Sequence, residues 1–290
     1  MKEKTAAIVI GIGALCVMLT GIGARSAVAE GGAEYVGAET CVGCHDAKGA
    51  SYKDSLHGRK LPITKKVTYE KSCETCHGPG SKHVAAGGDK TDPGFKTIGK
   101  PKSEDCMKCH KGGETMMWDI SSHAQADLSC NTCHSVHEGK GRKNLKASST
   151  DSCLQCHKKV GLALDMPSHH PVKEGKVSCT DCHNPHGGQN GNLRAESVTE
   201  TCYKCHAEKA GPFIYSHPPV QEDCGICHKP HGASQQKMLK WSSPRICMAC
   251  HNGHHEDSGA TWVANIQRRG DCTTCHPEIH GSDRTAIFHP

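Results

Sequence analysis

Hydrophobic residues are concentrated at one end of the chain. Residues 6–24 form an apolar stretch interrupted by glycines, and Lys2 and Lys4 precede it. The small-residue pattern Ala-Val-Ala follows at 27–29, and this order is typical of a secretory signal peptide. The sequence therefore predicts an exported chain with a cleaved signal at 1–29. A signal that is retained as a membrane anchor is the alternative.

Beyond the predicted signal, hydrophobic positions follow neither a helical nor a strand period for long. The chain contains 32 glycines and 14 prolines, which interrupt any long element. We therefore expect short α-helices and loops with little regular secondary structure and almost no strand. No later segment approaches the roughly 20 apolar residues of a membrane helix, so we expect no membrane span after signal cleavage.

The pentapeptide Cys-x-x-Cys-His occurs ten times and accounts for all but one of the 21 cysteines. This pentapeptide is the attachment motif of haem c, in which two thiols bond to the porphyrin vinyl groups and the histidine binds the iron. Zinc sites also use Cys-x-x-Cys pairs but do not require the adjacent histidine, and disulfide frameworks favour varied spacings. Ten repeats of one pattern favour ten covalently bound haem c groups.

The motifs name two sets of candidate residues. The predicted thioether cysteines are Cys41, Cys44, Cys73, Cys76, Cys106, Cys109, Cys130, Cys133, Cys153, Cys156, Cys179, Cys182, Cys202, Cys205, Cys224, Cys227, Cys247, Cys250, Cys272 and Cys275. The predicted proximal iron ligands are His45, His77, His110, His134, His157, His183, His206, His228, His251 and His276.

The motifs alternate between two contexts, which indicates a two-haem repeat. A second histidine follows closely after most even-numbered motifs, whereas in most odd-numbered ones it comes about a dozen residues later, often after Ser. Of the 23 histidines, 13 are not proximal, and ten haems with two histidine ligands each would need ten of these as distal ligands. These candidates are His57, His83, His123, His137, His169, His186, His217, His231, His255 and His280.

Two of these choices depend on how the repeats are aligned. Matching Ser168-His169 with Ser216-His217 makes His170 the surplus residue. In the last repeat unit, His254, His255 and His289 all remain possible as ligands, because none of them fits the spacing of the earlier units.

The close histidine of an even motif cannot bind its own haem. Axial imidazoles approach from opposite faces with Cα atoms about 12 Å apart, whereas three residues span at most about 10 Å. His137, His186 and His231 are therefore expected to reach a neighbouring haem, which would hold the haems in a closely spaced chain.

Composition agrees with a cofactor-filled interior. Only 35% of the 290 residues are hydrophobic and 4% are aromatic, which is too little apolar mass for an ordinary core around each haem. The formal charge of +5 is a poor guide to partners because haem propionates add negative charge. Dispersed lysines without interleaved aromatic residues do not favour nucleic-acid binding.

The residues that flank three of the motifs resemble those of a known protein family. The segments at 35–45 (YVGAETCVGCH), 73–83 (CETCHGPGSKH) and 178–187 (SCTDCHNPHG) resemble the DmsE/MtrA family of periplasmic decahaem cytochromes. The resemblance implies a row of bis-histidine haems in two pentahaem halves, here 30–160 and 161–290. It also implies electron passage between the quinone pool and the outer membrane or a terminal reductase, in some members within an outer-membrane porin.

Two imidazoles on an iron leave no position for substrate, so the motifs favour an electron-transfer protein and not an enzyme. The expected partners are an inner-membrane quinol dehydrogenase, an outer-membrane porin and an outer-surface multihaem cytochrome. A subunit of a polymeric haem filament and a multihaem oxyanion reductase remain the alternatives.

Overall fold

The computed structural model describes residues 32–139, 143–251 and 271–290. The predicted signal peptide at 1–29 lies outside these residues, and so do His254 and His255.

Short helices joined by loops make up the described chain. The α-helices are α1 (Ala38–Val42), α2 (Asp46–Asp54), α3 (Leu56–Thr64), α4 (Tyr69–His77), α5 (Ser81–Ala85), α6 (Ser103–Met107), α7 (Ser122–Gln125), α8 (Cys130–Cys133), α9 (Ser149–Leu154), α10 (Lys158–Ala163), α11 (Cys179–Cys182), α12 (Val198–Tyr203), α13 (Pro218–Glu222) and α14 (Arg245–Met248). Single 3₁₀ turns lie at Pro93–Thr97, Gly113–Thr115, Trp118–Ile120, Ala207–Lys209, Cys224–Ile226, Gln236–Met238 and Cys272–Thr274.

Side-chain caps begin several of these helices at the points that the sequence specifies. Ser148 Oγ accepts a hydrogen bond from the backbone N–H of Asp151, and Ser197 does the same for Glu200, each at 3.1 Å. The backbone N–H groups in the first turn of a helix have no acceptor within the helix, and the serine hydroxyl at this position accepts a hydrogen bond from one of them. Because these two helices, α9 and α12, lead into attachment motifs, their caps fix where those motifs start.

Five isolated bridges join pairs of described residues, and the described ranges form no strand. Three of the bridges join a motif histidine to a leucine further along the chain, namely His134 to Leu145, His183 to Leu193 and His228 to Leu239. The expected fold class, short helices and loops with almost no strand, is confirmed.

Side chains provide little hydrophobic core. Among the described residues, the buried hydrophobic side chains are Ala33, Ala38, Tyr52, Trp118, Leu164 and Ala233. Ordering the backbone costs about 1–2 kcal/mol per residue, which so few buried groups do not offset. The fold therefore requires apolar mass besides its own side chains.

The chain runs across residue 160 without a break in its contacts. Arg194 forms an ion pair with Glu114 at 3.1 Å, and the amide of Asn184 donates to the carbonyl oxygen of Glu114 at 2.9 Å. The division into halves at 30–160 and 161–290 stays a prediction. Within the described ranges, no helix is long and apolar enough to cross a membrane.

Candidate functional site

Each Cys-x-x-Cys-His motif is folded as one helical turn. In nine motifs the backbone N–H of the histidine donates to the carbonyl oxygen of the first cysteine at 2.9–3.0 Å, and α4 contains the remaining motif. Positions i, i+3 and i+4 of such a turn lie on one face. The turn therefore directs two thiols and one imidazole to the same side, as attachment and ligation of a single haem require.

Every motif histidine faces a second histidine from outside its own motif. The ring pairs are His45–His83, His77–His137, His110–His57, His134–His186, His157–His123, His183–His231, His206–His170, His228–His280, His251–His217 and His276–His289.

The spacing of nine pairs fits an iron held between two imidazoles. Their ring centroids lie 6.0–6.4 Å apart. A metal–imidazole bond is about 2 Å long and the nitrogen lies about 1.2 Å from the ring centroid, so opposite ligands of one iron have centroids about 6.4 Å apart. The tenth pair, His276–His289, is closer, at 4.7 Å.

The histidine that faces the proximal ring of an even-numbered motif lies just after the next even-numbered motif in the chain. His137, which follows the fourth motif, faces His77 of the second, and His186, which follows the sixth, faces His134 of the fourth. The same step places His231 opposite His183 and His280 opposite His228. The expectation that the close histidine reaches a neighbouring site agrees with this arrangement.

From the third motif onward, the histidine that faces an odd-numbered motif lies earlier in the chain than that motif. His57 faces His110, and His123 faces His157. The first motif differs, since His83, which follows the second motif, faces His45. Each two-motif unit therefore supplies imidazoles to sites outside itself, so the sites are interlocked along the chain.

Backbone carbonyls orient the proximal rings of all even-numbered motifs. The Nδ1 atoms of His77, His134, His228 and His276 lie 2.6–2.8 Å from the carbonyl oxygens of Gly99, Lys143, Lys237 and Ile287, and His183 is bonded in the same way to Asn192. A carbonyl oxygen only accepts, so Nδ1 carries the proton. Nε2 is then left to bind a metal, and the hydrogen bond fixes the ring orientation.

A second repeated contact links the partner histidines of neighbouring sites. His123 donates through Nδ1 to the carbonyl oxygen of Pro185 at 2.8 Å, and Pro185 precedes His186. His217 donates in the same way to Ile279, the residue before His280, at 3.1 Å. One hydrogen bond thus positions two imidazoles that serve adjacent sites.

Burial keeps many of these imidazoles neutral. Desolvation is the largest cause that lowers the pKa of His57, His137, His183, His186, His217 and His231, and it lowers the pKa of His280 to about 4. The neutral imidazole is the form that binds a metal, so near neutral pH these rings need not lose a proton to do so.

The structure places His170, and not His169, opposite a motif histidine. The rings of His170 and His206 lie 6.3 Å apart. His169 instead uses both nitrogens locally, with Nδ1 2.6 Å from the Met166 carbonyl oxygen and Nε2 3.1 Å from Glu174. The hydrogen bond to Glu174 raises the pKa of His169. The alignment of Ser168-His169 with Ser216-His217 is therefore corrected.

A sequence signal for the corrected alignment was present. His170 and His217 are each followed directly by proline, whereas His169 is not. Bridges from Ser168 to Ala233 and from Tyr215 to Ser282 begin two residues before these histidines, so the backbone repeats in the His-Pro register.

The last repeat unit contains the second difference. The predicted distal ligand His255 lies outside the described residues, as does its neighbour His254. Of the three histidines left open by the sequence, the structure places His289 opposite His276. The ninth motif obtains its partner from upstream, where His217 faces His251 at 6.0 Å.

The cysteines of successive motifs lie side by side in sequence order. Besides burial, the first thiol of an adjacent motif raises the pKa of five first cysteines. The next motif does so for Cys41 through Cys73, Cys106 through Cys130, Cys153 through Cys179 and Cys202 through Cys224, and the preceding motif does so for Cys272 through Cys247. The second cysteine of the next motif likewise raises the pKa of a second cysteine in the pairs Cys76–Cys109, Cys133–Cys156, Cys182–Cys205 and Cys227–Cys250, where the first-named thiol is the shifted group. Each motif thus has cysteines near those of the next motif along the chain, from the first motif to the tenth.

The donor atoms are not arranged as zinc sites. Within the described part of the chain, no three side chains of the His, Cys, Asp or Glu type converge on one point. The arrangement instead pairs imidazoles across a gap beside each cysteine pair, which suits an iron porphyrin.

Comparison with known proteins supports the same cofactor. Residues 123–161, 169–211 and 217–256 match the family described as Doubled CXXCH motif. Multiheme cytochrome MtrA of Shewanella baltica (strain OS185) is 35% identical over 201 residues, which cover 67% of this chain and 60% of the relative. The matched region thus spans less than two thirds of that relative's length.

Both matches, together with the paired imidazoles, support covalently bound haem c. The chain belongs to the MtrA/DmsE type of multihaem c-type cytochromes.

Proposed function

We propose that this protein is a periplasmic electron-transfer cytochrome that holds ten haem c groups in one row. The observation that carries the proposal is the unbroken sequence of ten attachment motifs, each with a facing imidazole pair beside it. A continuous row suits passage of electrons along the chain better than chemistry at a single centre.

The proposal assigns the motif cysteines to thioether bonds and the motif histidines to the proximal iron positions. The distal histidines are those that face them: His57, His83, His123, His137, His170, His186, His217, His231, His280 and His289. Compared with the sequence-based set, His170 replaces His169 and His289 replaces His255.

The chain's own residues determine what the cofactor does. Bound haem supplies reversible one-electron chemistry, and histidine ligands without a methionine sulfur favour low potentials. Facing imidazoles at 6.0–6.4 Å would take up both axial positions of an iron held between them. Substrate binding is thereby excluded at nine of the sites, which argues against a reductase and in favour of electron transfer.

For location and partners, the proposal relies on the predicted export signal and on family membership. We place the mature protein in the periplasm, in contact with an inner-membrane quinol dehydrogenase, an outer-membrane porin and an outer-surface multihaem cytochrome. No partner of nucleic acid type is proposed. Two pentahaem halves, 30–160 and 161–290, remain part of the proposal.

A haem count tests the cofactor assignment. Mass spectrometry and the pyridine haemochrome spectrum of the exported protein should show ten covalent haems, and electron paramagnetic resonance should show predominantly low-spin bis-imidazole iron. Far fewer haems, or mostly high-spin iron, would contradict the proposal.

Fractionation tests the role. A tagged protein should be purified from detergent-solubilised envelopes together with an outer-membrane porin, and the complex should pass electrons from an internal reductant to an external acceptor in proteoliposomes. Micrometre-long haem fibres, or oxidation of the reduced protein with turnover of nitrogen or sulfur oxyanions, would contradict the electron-conduit role.

A further inference from the structure

A dense group of positive charges lies on α3 and on the loop that follows it. Between Asp54 and Glu70 the chain has no acidic residue but four cations, Arg59, Lys60, Lys65 and Lys66, whereas the formal charge of all 290 residues is only +5. All four cations are exposed, and within the described ranges none of them forms an ion pair. Their charge is therefore not neutralised by the chain's own carboxylates.

One side of α3 packs against the rest of the protein. A Cβ added at Gly58 would lie 2.1 Å from the carbonyl oxygen of Tyr52 in α2, so this position is in close contact with the preceding helix. His57, its neighbour, is partly buried and faces His110 at 6.0 Å. Ser55 Oγ accepts a hydrogen bond from the backbone N–H of Gly58 at 3.0 Å and fixes where the helix begins. The inner side of α3 thus belongs to one of the proposed haem sites.

The outer side of α3 combines apolar and positive side chains. Leu56 and Ile63 are 41% and 75% exposed, and Arg59 and Lys60 lie between them in the sequence. Residues three or four positions apart share a face of a helix, so these four side chains form one outward stripe. Exposed apolar groups that are edged by polar ones mark protein interaction sites. We call this stripe, together with Lys65 and Lys66, the α3 surface.

The charge of the α3 surface determines which partner it fits. A concentrated positive field attracts carboxylates and steers acidic proteins, which raises association rates by about 10- to 1,000-fold at low ionic strength. A helix that lies in a membrane interface buries a continuous apolar face. The outer side of α3 exposes only Leu56 and Ile63 as large apolar side chains, which favours a folded acidic protein over a lipid surface.

We propose that the α3 surface docks an acidic redox protein, whose carboxylates pair with Arg59, Lys60 and the two lysines of the following loop and whose apolar contact is Ile63. The choice of a redox protein rests on the proposed electron-transfer function. A partner seated here lies against the helix that carries His57. The docking surface and a proposed haem site therefore share one structural element.

The soluble domain of cytochrome b5, which is acidic, is the probe that tests this surface. Isothermal titration calorimetry with the oxidised holoprotein should show binding at low ionic strength that weakens as salt is added. Arg59→Gln combined with Lys60→Gln should weaken the affinity about tenfold, and Ile63→Ser about fivefold. Lys158→Gln combined with Lys159→Gln removes the same charge from the exposed start of α10 and should change the affinity by less than about twofold.

Cross-linking locates the contact. Carbodiimide joins a carboxylate of the probe to a lysine amine as an amide, and mass spectrometry should find these links at Lys60, Lys65 and Lys66. The inference is overturned if the Arg59→Gln, Lys60→Gln variant binds the probe as tightly as the wild type, or if the links fall elsewhere. It is also overturned if phosphatidylglycerol vesicles bind through these residues and cytochrome b5 does not.

Failure of this docking and failure of the proposed function give different results. Calorimetry and cross-linking require no electron transfer, so an unchanged affinity of the variants alongside ten low-spin haems would remove the docking surface and leave the function intact. Normal docking without any oxidation of the reduced holoprotein by the probe would contradict the function and support the surface.

Discussion

The imidazole of His170 donates its Nδ1 hydrogen to the carbonyl oxygen of Pro230, the residue before His231. His170 faces His206 and His231 faces His183, so this contact joins two adjacent sites. The equivalent bond from His123 to Pro185 shows that the contact belongs to the repeat. Neighbouring sites are therefore positioned together and not one by one.

Replacement of His170 by alanine should leave one axial position vacant at the haem proposed to be attached at Cys202 and Cys205. The variant removes the ring that faces His206 at 6.3 Å, so one iron loses an axial imidazole and becomes high-spin. Electron paramagnetic resonance of the oxidised protein should show one more high-spin haem per chain than the wild type.

His169→Ala is the matched control for that variant. The His169 ring is held by Met166 and Glu174, and we expect its loss to leave the low-spin signal unchanged. A high-spin signal produced by His169→Ala but not by His170→Ala would show that the sequence-based alignment was right after all.

Glu74→Gln should weaken the hydrogen bonds that join the second motif to the segment before the first motif. The buried Glu74 carboxylate accepts hydrogen bonds from the backbone N–H groups of Val36, Gly37 and Gly80 at 2.8–3.2 Å. The amide nitrogen that replaces one carboxylate oxygen cannot accept a hydrogen bond. At least one of these backbone N–H groups therefore loses its acceptor, which should lower the free energy of unfolding by about 2 kcal/mol.

The measurement for Glu74→Gln is thermal unfolding of the holoprotein followed by circular dichroism. Its midpoint should fall, whereas the exposed Glu39→Gln in α1 should leave the midpoint unchanged. Equal midpoints for the two variants would refute a structural role for the Glu74 carboxylate.

Gly232→Ala should displace the segment that carries His231. Gly232 has a φ of +155°, and an added Cβ would lie 2.0 Å from the carbonyl oxygen of Ala163. Relief of such a contact costs about 1–3 kcal/mol and moves the adjacent imidazole. We expect lower thermal stability and a broadened low-spin resonance from the haem at Cys179 and Cys182.

The control for this variant is a glycine in open space. Gly112 has an extended backbone, with a φ of −135°, and an added Cβ would meet nothing within 4 Å. Gly112→Ala should therefore match the wild type in both measurements. If Gly232→Ala does so as well, the close approach to Ala163 is not needed to position His231.

The chain without haem should be disordered. Only six hydrophobic side chains are buried in the described ranges, and Leu164 is the largest that is almost fully buried. A variant lacking residues 1–29, made in the cytosol where haem c is not attached, should give a disordered circular dichroism spectrum and no cooperative melt. A cooperative transition in that chain would mean that side chains alone supply a sufficient core.

The attachment chemistry could be predicted because it is local. A spacing of three residues between thiols and one more to the imidazole places all three on one helical turn, whatever surrounds it. This rule predicts the ten motifs at 41–276 and their candidate proximal histidines. The many prolines and glycines separately predict that the helices are short. The same rule could not identify the opposite imidazoles, since those come from other turns.

Adjacent His169 and His170 show where local information ends. Both lie in the same polar segment, and apart from the proline that follows His170 they differ in their tertiary contacts. His170 bonds to the distant carbonyl oxygen of Pro230, whereas His169 bonds to the nearby Glu174. Likewise, no spacing rule related His289 to His276, because the two are brought together by the turn at Phe288.

By itself, the sequence determined how many Cys-x-x-Cys-His motifs this chain carries and which two thiols and imidazole each motif brings to one side, since that depends on a single helical turn. Only the tertiary structure decided which imidazole faces which, because that choice depends on backbone carbonyls and loop paths contributed by other repeats. Interlocking of the repeats, which turns ten separate motifs into one row, is likewise a property of the folded chain.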